Sequence, residues 1–174
     1  LHLEHALEQS QYVVVKKSRR IGWSSTILEL FSSWMGKGIL IVCSNYSQVG
    51  YVKRKLPTNS LNRYWVCTEY NLASETHSCS FDAILFDEAS FFNNLCEAHK
   101  EATQHLKKDG IFIIASTQGG DSIDYFEKLF KEATYGNSLF YPILLPWFIV
   151  FSSQEINKIS NNLGRELFEK EYLV

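Results

Sequence analysis

Six short apolar runs recur along the chain, and hydrophobicity within each is continuous rather than alternating. They read QYVVVK (11–16), GILIVCS (38–44), RYWVCT (63–68), DAILFDE (82–88), GIFIIAS (110–116) and LFYPILL (139–145). Most of their residues are β-branched or aromatic, the pattern of strands covered on both faces. Between them lie stretches of helical periodicity at 24–35, 46–56, 93–108 and 122–135, with two more at 153–162 and 164–172. Strand–helix alternation of this kind predicts an α/β fold: a mostly parallel central sheet in a three-layer α/β/α sandwich with right-handed crossovers. Ligands on such sheets bind at the carboxyl ends of the strands, so the chemistry is to be sought in the loops that follow them.

At 174 residues the chain has the length of one domain, and no internal repeat or linker divides it. Hydrophobic residues make up 45% and charged residues 21%, which excludes a disordered chain. The net charge of −2 means that any contact with nucleic acid must come from local patches such as Lys53-Arg54-Lys55 or Lys107-Lys108. The four cysteines are scattered without a C-x-x-C pair, and Cys43 and Cys67 fall in strands as buried, reduced thiols. The histidines form no metal signature. No run reaches the roughly 18 apolar residues of a membrane span, and the most apolar one, FYPILLPWFIVF at 140–151, is broken by two prolines. No signal peptide is visible, and a chain opening at Leu1 reads as an excised piece of an intracellular protein.

Three strand ends carry chemistry. The loop KKSRRIGWSS (16–25) follows the first strand and opens a helix, the setting in which backbone N–H groups and a helix N-terminus cradle phosphate. Gly22 permits the tight turn, and Ser24 or Ser25 offers a hydroxyl to Mg²⁺. The loop has one glycine where the usual pattern has two, and Trp23 stands where that pattern has lysine, so a basic turn capped by serine explains it equally well. DAILFDEAS (82–90) ends a strand in two adjacent carboxylates. Asp87 suits Mg²⁺ or its water shell and Glu88 suits activation of an attacking water, whereas a surface loop is the plainer alternative. GIFIIASTQGG (110–120) breaks into Ser116, Thr117 and Gln118 before paired glycines, residues able to sense a γ-phosphate and couple its loss to movement. Taken in order, the three point to a P-loop NTPase with an additional central strand, binding ATP and Mg²⁺.

With these motifs in hand, the chain resembles the N-terminal ATPase domain of the large terminase subunit, the DNA-packaging motor of tailed bacteriophages and related viruses. KSRRIGWSS resembles that family's arginine-bearing phosphate loop, ILFDEASFF its acidic motif and IASTQGG its coupling motif. DYFEKLFKEA, LFYPILLPW and ELFEKEYL follow the family's order of helix, strand with Pro-Trp exit, and closing helix, so the likeness runs from about residue 9 to 174. The resemblance implies a displaced lysine: Lys17 at the front of the loop takes the functional role, and Trp23 fills the vacated slot. It implies a nucleotide-binding loop of Lys17, Ser18, Arg19, Arg20, Ile21, Gly22, Trp23, Ser24 and Ser25. Ser24 and Asp87 would hold Mg²⁺, Glu88 would be the catalytic base, Arg19 would stabilise the transition state, and Ser116, Thr117 and Gln118 would couple. It further implies double-stranded DNA, a portal protein and a small terminase subunit as partners, a homo-oligomeric ring, and the cytoplasm of an infected host cell. The family's subunit-bridging arginine has no counterpart in NLASETHSCSF (71–81), leaving Arg54 or Arg63 as substitutes; Gln9 or Gln11 stands where an adenine contact could be made, but each reads first as a surface glutamine. A C-terminal nuclease, which needs clustered carboxylates, is not expected in a single domain whose last aspartate is Asp124. A helicase-like ATPase and a non-hydrolysing module kept for binding or assembly are the rival readings.

Overall fold

The computed structural model describes residues 2–58, 60–163 and 168–169. All six apolar runs are strands: β1 (Tyr12–Lys17), β2 (Gly38–Cys43), β3 (Arg63–Thr68), β4 (Phe81–Asp87), β5 (Leu106–Ser116) and β6 (Phe140–Leu145). They form one sheet in the order β3-β2-β4-β5-β1-β6, and every neighbouring pair is parallel. The fold is therefore the expected α/β sandwich, with a sheet that is wholly parallel among the described residues. β5 is the additional strand, lying between the strand that feeds the phosphate loop and the strand that ends in the acidic pair.

Unbroken hydrophobicity follows from burial on both faces. Val13 and Val15, Ile39 and Ile41, Ala83 and Leu85, and Ile113 and Ala115 point into one core. Helices α1 (His2–Gln9), α2 (Trp23–Ser33) and α3 (Tyr46–Lys55) cover that side through residues such as Ala6, Ile27, Phe31 and Val49. Val14, Leu40 and Val42, Ile84 and Phe86, and Phe112 and Ile114 point into the other. There α4 (Leu72–Thr76), α5 (Leu95–Thr103) and α6 (Ile123–Thr134) supply Leu72, Leu95, Ala98, Phe126 and Leu129. Phe86 and Phe112 meet edge to face at 5.1 Å in the middle of this second core. Helix α7 (Ser153–Leu163) follows β6 with Ile156 buried.

Two expectations need correction. The helix read over 93–108 ends at Thr103, and residues 106–108 open β5 instead. Leu106 pairs with Phe81 at the start of β4, and Lys107 reaches Asp82 at 2.9 Å, so cross-strand partners override the helical pattern. Helices α1 and α4 went unread, α4 because five residues are too short to show a period. The helix expected over 164–172 lies mostly outside the described residues, although Phe168 and Glu169 are helical. The two basic patches have local roles: Lys107 pairs with Asp82, and Lys53, Arg54 and Lys55 occupy the last turn of α3, where cations suit the helix dipole. Cys43 and Cys67 are buried and free, and burial pushes each thiol up to about 12, so both stay protonated.

Gly120 joins the loops after β4 and β5. Its φ of 91° is left-handed, and a Cβ there would lie against the Ser90 carbonyl, well inside contact distance. Gly120→Ala should therefore cost about 3 kcal/mol of stability in chemical denaturation, combining strain with overpacking. Gly136→Ala, at φ 72° with open space around the position, should cost only about 1 kcal/mol. Equal losses would show that the Ser90 contact yields.

Candidate active site

Parallel register brings the three motifs to one level. Lys16 aligns with Ser116 and Asp87 with Ala115, so Lys17 ends beside Thr117 while Glu88 emerges beside Ser116. The loop then turns through Arg20, at φ 59°, and Gly22, at φ 78°, before α2 begins. Gly22 is the N-cap of α2, and no side chain caps the helix. The first-turn N–H donors are thus left for an anion, with the positive end of the helix dipole behind them.

A cavity of about 290 Å³ opens at this level. It is lined by Lys17, Ser18, Arg20, Ile21, Gly22, Trp23, Ser24 and Ser25 from the loop and by Asp87 and Glu88 from the end of β4. Arg19 is exposed and does not line it. Lys16 and Lys17 are separated as strand alternation requires. Lys16 turns to the opposite face and pairs with Glu127 of α6 at 2.9 Å, whereas Lys17 is buried and its Nζ donates to Glu88 Oε1 at 2.5 Å. Trp23 packs into the core beneath the loop with α2.

Glu88 is held from both sides. Its Oε2 accepts from the Thr117 hydroxyl at 2.9 Å and from the Thr117 N–H at 3.2 Å. Burial works to raise its carboxyl pKa, but the Lys17 charge together with these hydrogen bonds outweighs burial and holds it below the ordinary value. Asp87 is shifted the opposite way. Burial dominates and pushes its carboxyl up, aided by the neighbouring Glu88 charge and opposed by Lys17. Ser24 donates its hydroxyl to Asp87 Oδ2 at 2.7 Å, while Asp87 Oδ1 is buried with no hydrogen-bond partner. An orphaned carboxylate oxygen beside a serine hydroxyl is a donor set that fits Mg²⁺ and its waters. Ser24 rather than Ser25 is thus the hydroxyl at the acidic pair, and Ser25 faces Tyr51 at 3.5 Å.

The motif after β5 divides its labour. Thr117 touches Glu88; Ser116 instead bonds Ser90, Oγ to Oγ at 2.6 Å, and accepts from the Ser90 N–H at 3.1 Å. Gln118 is half-buried and outside the cavity lining. Ser122, at the start of α6, donates its N–H to the Ser90 carbonyl at 2.9 Å and accepts from the Leu95 N–H at the start of α5 at 3.0 Å. Sequence reading missed three lining residues, Gln48, Tyr51 and Val52 of α3. Asn45-x-x-Gln48 announced the start of this helix, but nothing in the sequence announced that the helix start meets the cavity.

Neither the protein-family models nor the curated proteins contain a match to the sequence. Solved structures do match in three dimensions. The large terminase of a thermophilic bacteriophage superposes with a TM-score of 0.70 at 8% identity, over 95% of this chain and 48% of that one. The chain has the fold of a large terminase ATPase domain. The same terminase in complex with ADP gives a TM-score of 0.69 at 10% identity, over 96% of this chain and 48% of that one. The ATPase domain of the Thermus phage P74-26 large terminase gives 0.65 at 16% identity, over 97% and 91% of the two chains. The present chain therefore spans about half the length of the first terminase and nearly all of the Thermus phage domain. Among the described residues no helix is long and apolar enough to cross a membrane, and no group of three or more His, Cys, Asp or Glu is placed to hold a metal.

The direction of the Asp87 shift has a measurable consequence. A carboxyl whose folded pKa lies above its unfolded value favours folding while protonated, and that contribution is lost as pH rises through the raised pKa. At neutral pH the buried Asp87 carboxyl therefore lowers the stability of the fold. Asp87→Asn should raise the melting temperature of the ligand-free protein at pH 7 by several degrees, about 1–3 kcal/mol. The gain should vanish below the ordinary Asp value of 3.8, where the wild-type carboxyl is also neutral. A lower melting temperature for the variant at pH 7 would show that the charge is already compensated.

Proposed function

We propose that this chain is an ATP-hydrolysing motor domain of a large terminase. The observation that carries the reading is the meeting of Lys17, Ser24, Asp87 and Glu88 in one cavity at the start of α2, with Asp87 Oδ1 unpartnered. The shared fold and the ADP and ATP-γ-S complexes of the thermophilic bacteriophage terminase support it. In this reading Lys17 is the displaced phosphate-loop lysine, reaching the β- and γ-phosphates from the front of the loop, and Trp23 keeps a packing role.

The ion pair defines the ligand-free state. Nucleotide phosphates draw the Lys17 ammonium away from Glu88, and the carboxylate loses the charge that most depresses its pKa. Glu88 then becomes a stronger base with Oε1 free, while Thr117 continues to hold Oε2 and so orients the carboxylate toward an attacking water. Bound Mg²⁺, held by Ser24 and Asp87, would neutralise charge on the phosphates. Arg19 and Arg20 stand at the loop's exposed turn to stabilise developing charge, and Arg20 is the one that lines the cavity. Thr117 reports the departure of the phosphate to the loop of Ser116 and Gln118.

The same reading makes double-stranded DNA the translocated polymer, with a portal protein and a small terminase subunit as partners, a ring of subunits as the active form, and the infected host's cytoplasm as the place of action. The nuclease function of terminases is assigned to no residue of this chain. A second reading, a nucleotide-binding module that does not hydrolyse, is favoured by the engagement of both Glu88 oxygens in the ligand-free state.

Two sets of variants test the reading. Glu88→Gln should bind Mg-ATP with near wild-type affinity and lose hydrolysis by a factor of about 100 or more, read by phosphate release in single-turnover conditions. Unchanged turnover would remove Glu88 from the chemistry, and absence of turnover in wild type, with DNA and at high protein concentration, would favour the second reading. Lys17→Ala should weaken binding of a non-hydrolysable ATP analogue about tenfold or more in calorimetric titration, whereas Lys16→Ala should leave it nearly unchanged. Equal behaviour of the two lysine variants would sink the displaced-lysine assignment.

A further inference from the structure

We infer that Gln48 donates its side-chain amide to the terminal phosphate of a bound nucleoside triphosphate, and so makes the cavity favour triphosphate over diphosphate. The inference rests on the reading of the cavity as an ATP site. Gln48 stands in the first turn of α3 and lines the cavity together with Asp87 and Glu88. Its Oε1 accepts from the Ser44 N–H at 3.0 Å and from the Ser44 hydroxyl at 2.9 Å. A backbone N–H can only donate, so this pair of bonds fixes the amide: oxygen toward Ser44, nitrogen away from it. The amide nitrogen has no hydrogen-bond partner among the described residues, and the side chain is half-buried.

Register places the amide at the phosphate end of the cavity. Cys43 pairs with Asp87 at the ends of β2 and β4, Ser44 and Glu88 are the next residues of the two chains, and Gln48 is tied to Ser44. Tyr51, nearly one turn further along α3, reaches Ser25 instead. A neutral N–H donor lining the same cavity as the base could meet either the attacking water or a γ-phosphate oxygen. The water gives its proton to Glu88 and attacks phosphorus through one lone pair, and a hydrogen bond accepted on its other lone pair would only lower its nucleophilicity. A γ-phosphate oxygen, by contrast, already carries negative charge in the bound triphosphate, which an N–H donor stabilises. A β-phosphate is already served by the loop N–H groups and the start of α2. Capping of α3 uses only the oxygen of Gln48, which leaves its nitrogen for this contact.

Selectivity between nucleotides separates such a contact from a purely structural role. Mg²⁺ with ADP, and Mg²⁺ with a non-hydrolysable ATP analogue, are titrated calorimetrically into wild type, Gln48→Ala and Gln48→Glu. Gln48→Ala should lose about tenfold in affinity for the triphosphate analogue while ADP affinity stays within about twofold. Gln48→Glu keeps an acceptor for Ser44 but sets a negative charge where the donor was, so its loss for the triphosphate should be larger still, again with ADP nearly unaffected. ADP binding thereby serves as the internal control for an intact pocket. Equal losses for both nucleotides, or none for either, would overturn the inference. Failure of wild type to bind either nucleotide would instead overturn the ATP reading beneath it.

Discussion

Two carboxylates leave the end of one buried strand, and a single buried ammonium answers them. Asp87 and Glu88 are adjacent in sequence, Lys17 pairs with Glu88, and Asp87 keeps one oxygen with no partner. Desolvated charge is expensive unless matched, so this corner is electrostatically incomplete without a further cation. Much around it can be understood as provision for that deficit: the uncapped start of α2, the Ser24 hydroxyl turned to Asp87, and the loop bent through two left-handed residues to leave space between them. Burial, the largest influence on Asp87, pushes its carboxyl pKa up and so eases the imbalance in the ligand-free fold.

The added strand is what lets one lysine serve two masters. Because β5 separates β1 from β4, the acidic pair lies two strands from the phosphate loop, and the cavity of about 290 Å³ opens between their ends. Lys17 crosses it in the ligand-free state, and Thr117, at the end of the intervening strand, braces Glu88 from below. Loop lysine, acidic strand end and polar strand end are thus one hydrogen-bonded group, and a change in any of them is felt by the other two.

Much of this was legible in the sequence because the sheet is parallel and doubly covered. Continuous apolar runs such as GILIVC have no surface solution, and all six became strands within a residue or two, except the early start of β5. That start was hidden because Lys107 and Lys108 look helical until Asp82 and Phe81 are known to lie alongside. Asp87 and Glu88 could be read as candidates from their place at the end of a strand, whereas the choice between Ser24 and Ser25 needed the hydrogen bond to Asp87. Which arginine faces the cavity could not be read, since Arg19 and Arg20 differ only by a left-handed turn that sequence does not announce. Gln48 was hidden for another reason. Its proximity to Glu88 is created by β2 and β4 pairing across the chain, a relation with no local signature.

The contact between Gly120 and the Ser90 carbonyl has a mechanical side. Ser90 also bonds Ser116, the Thr117 carbonyl and the N–H of Ser122, and the Ser122 hydroxyl holds the start of α5. The loops after β4 and β5 cannot slide past each other without breaking this seam, which ties the end of β4 to the roots of α5 and α6. Helix α6 has 12 residues and extends about 18 Å from that root. A tilt of about 5° at the root would carry its far end through about 1.5 Å.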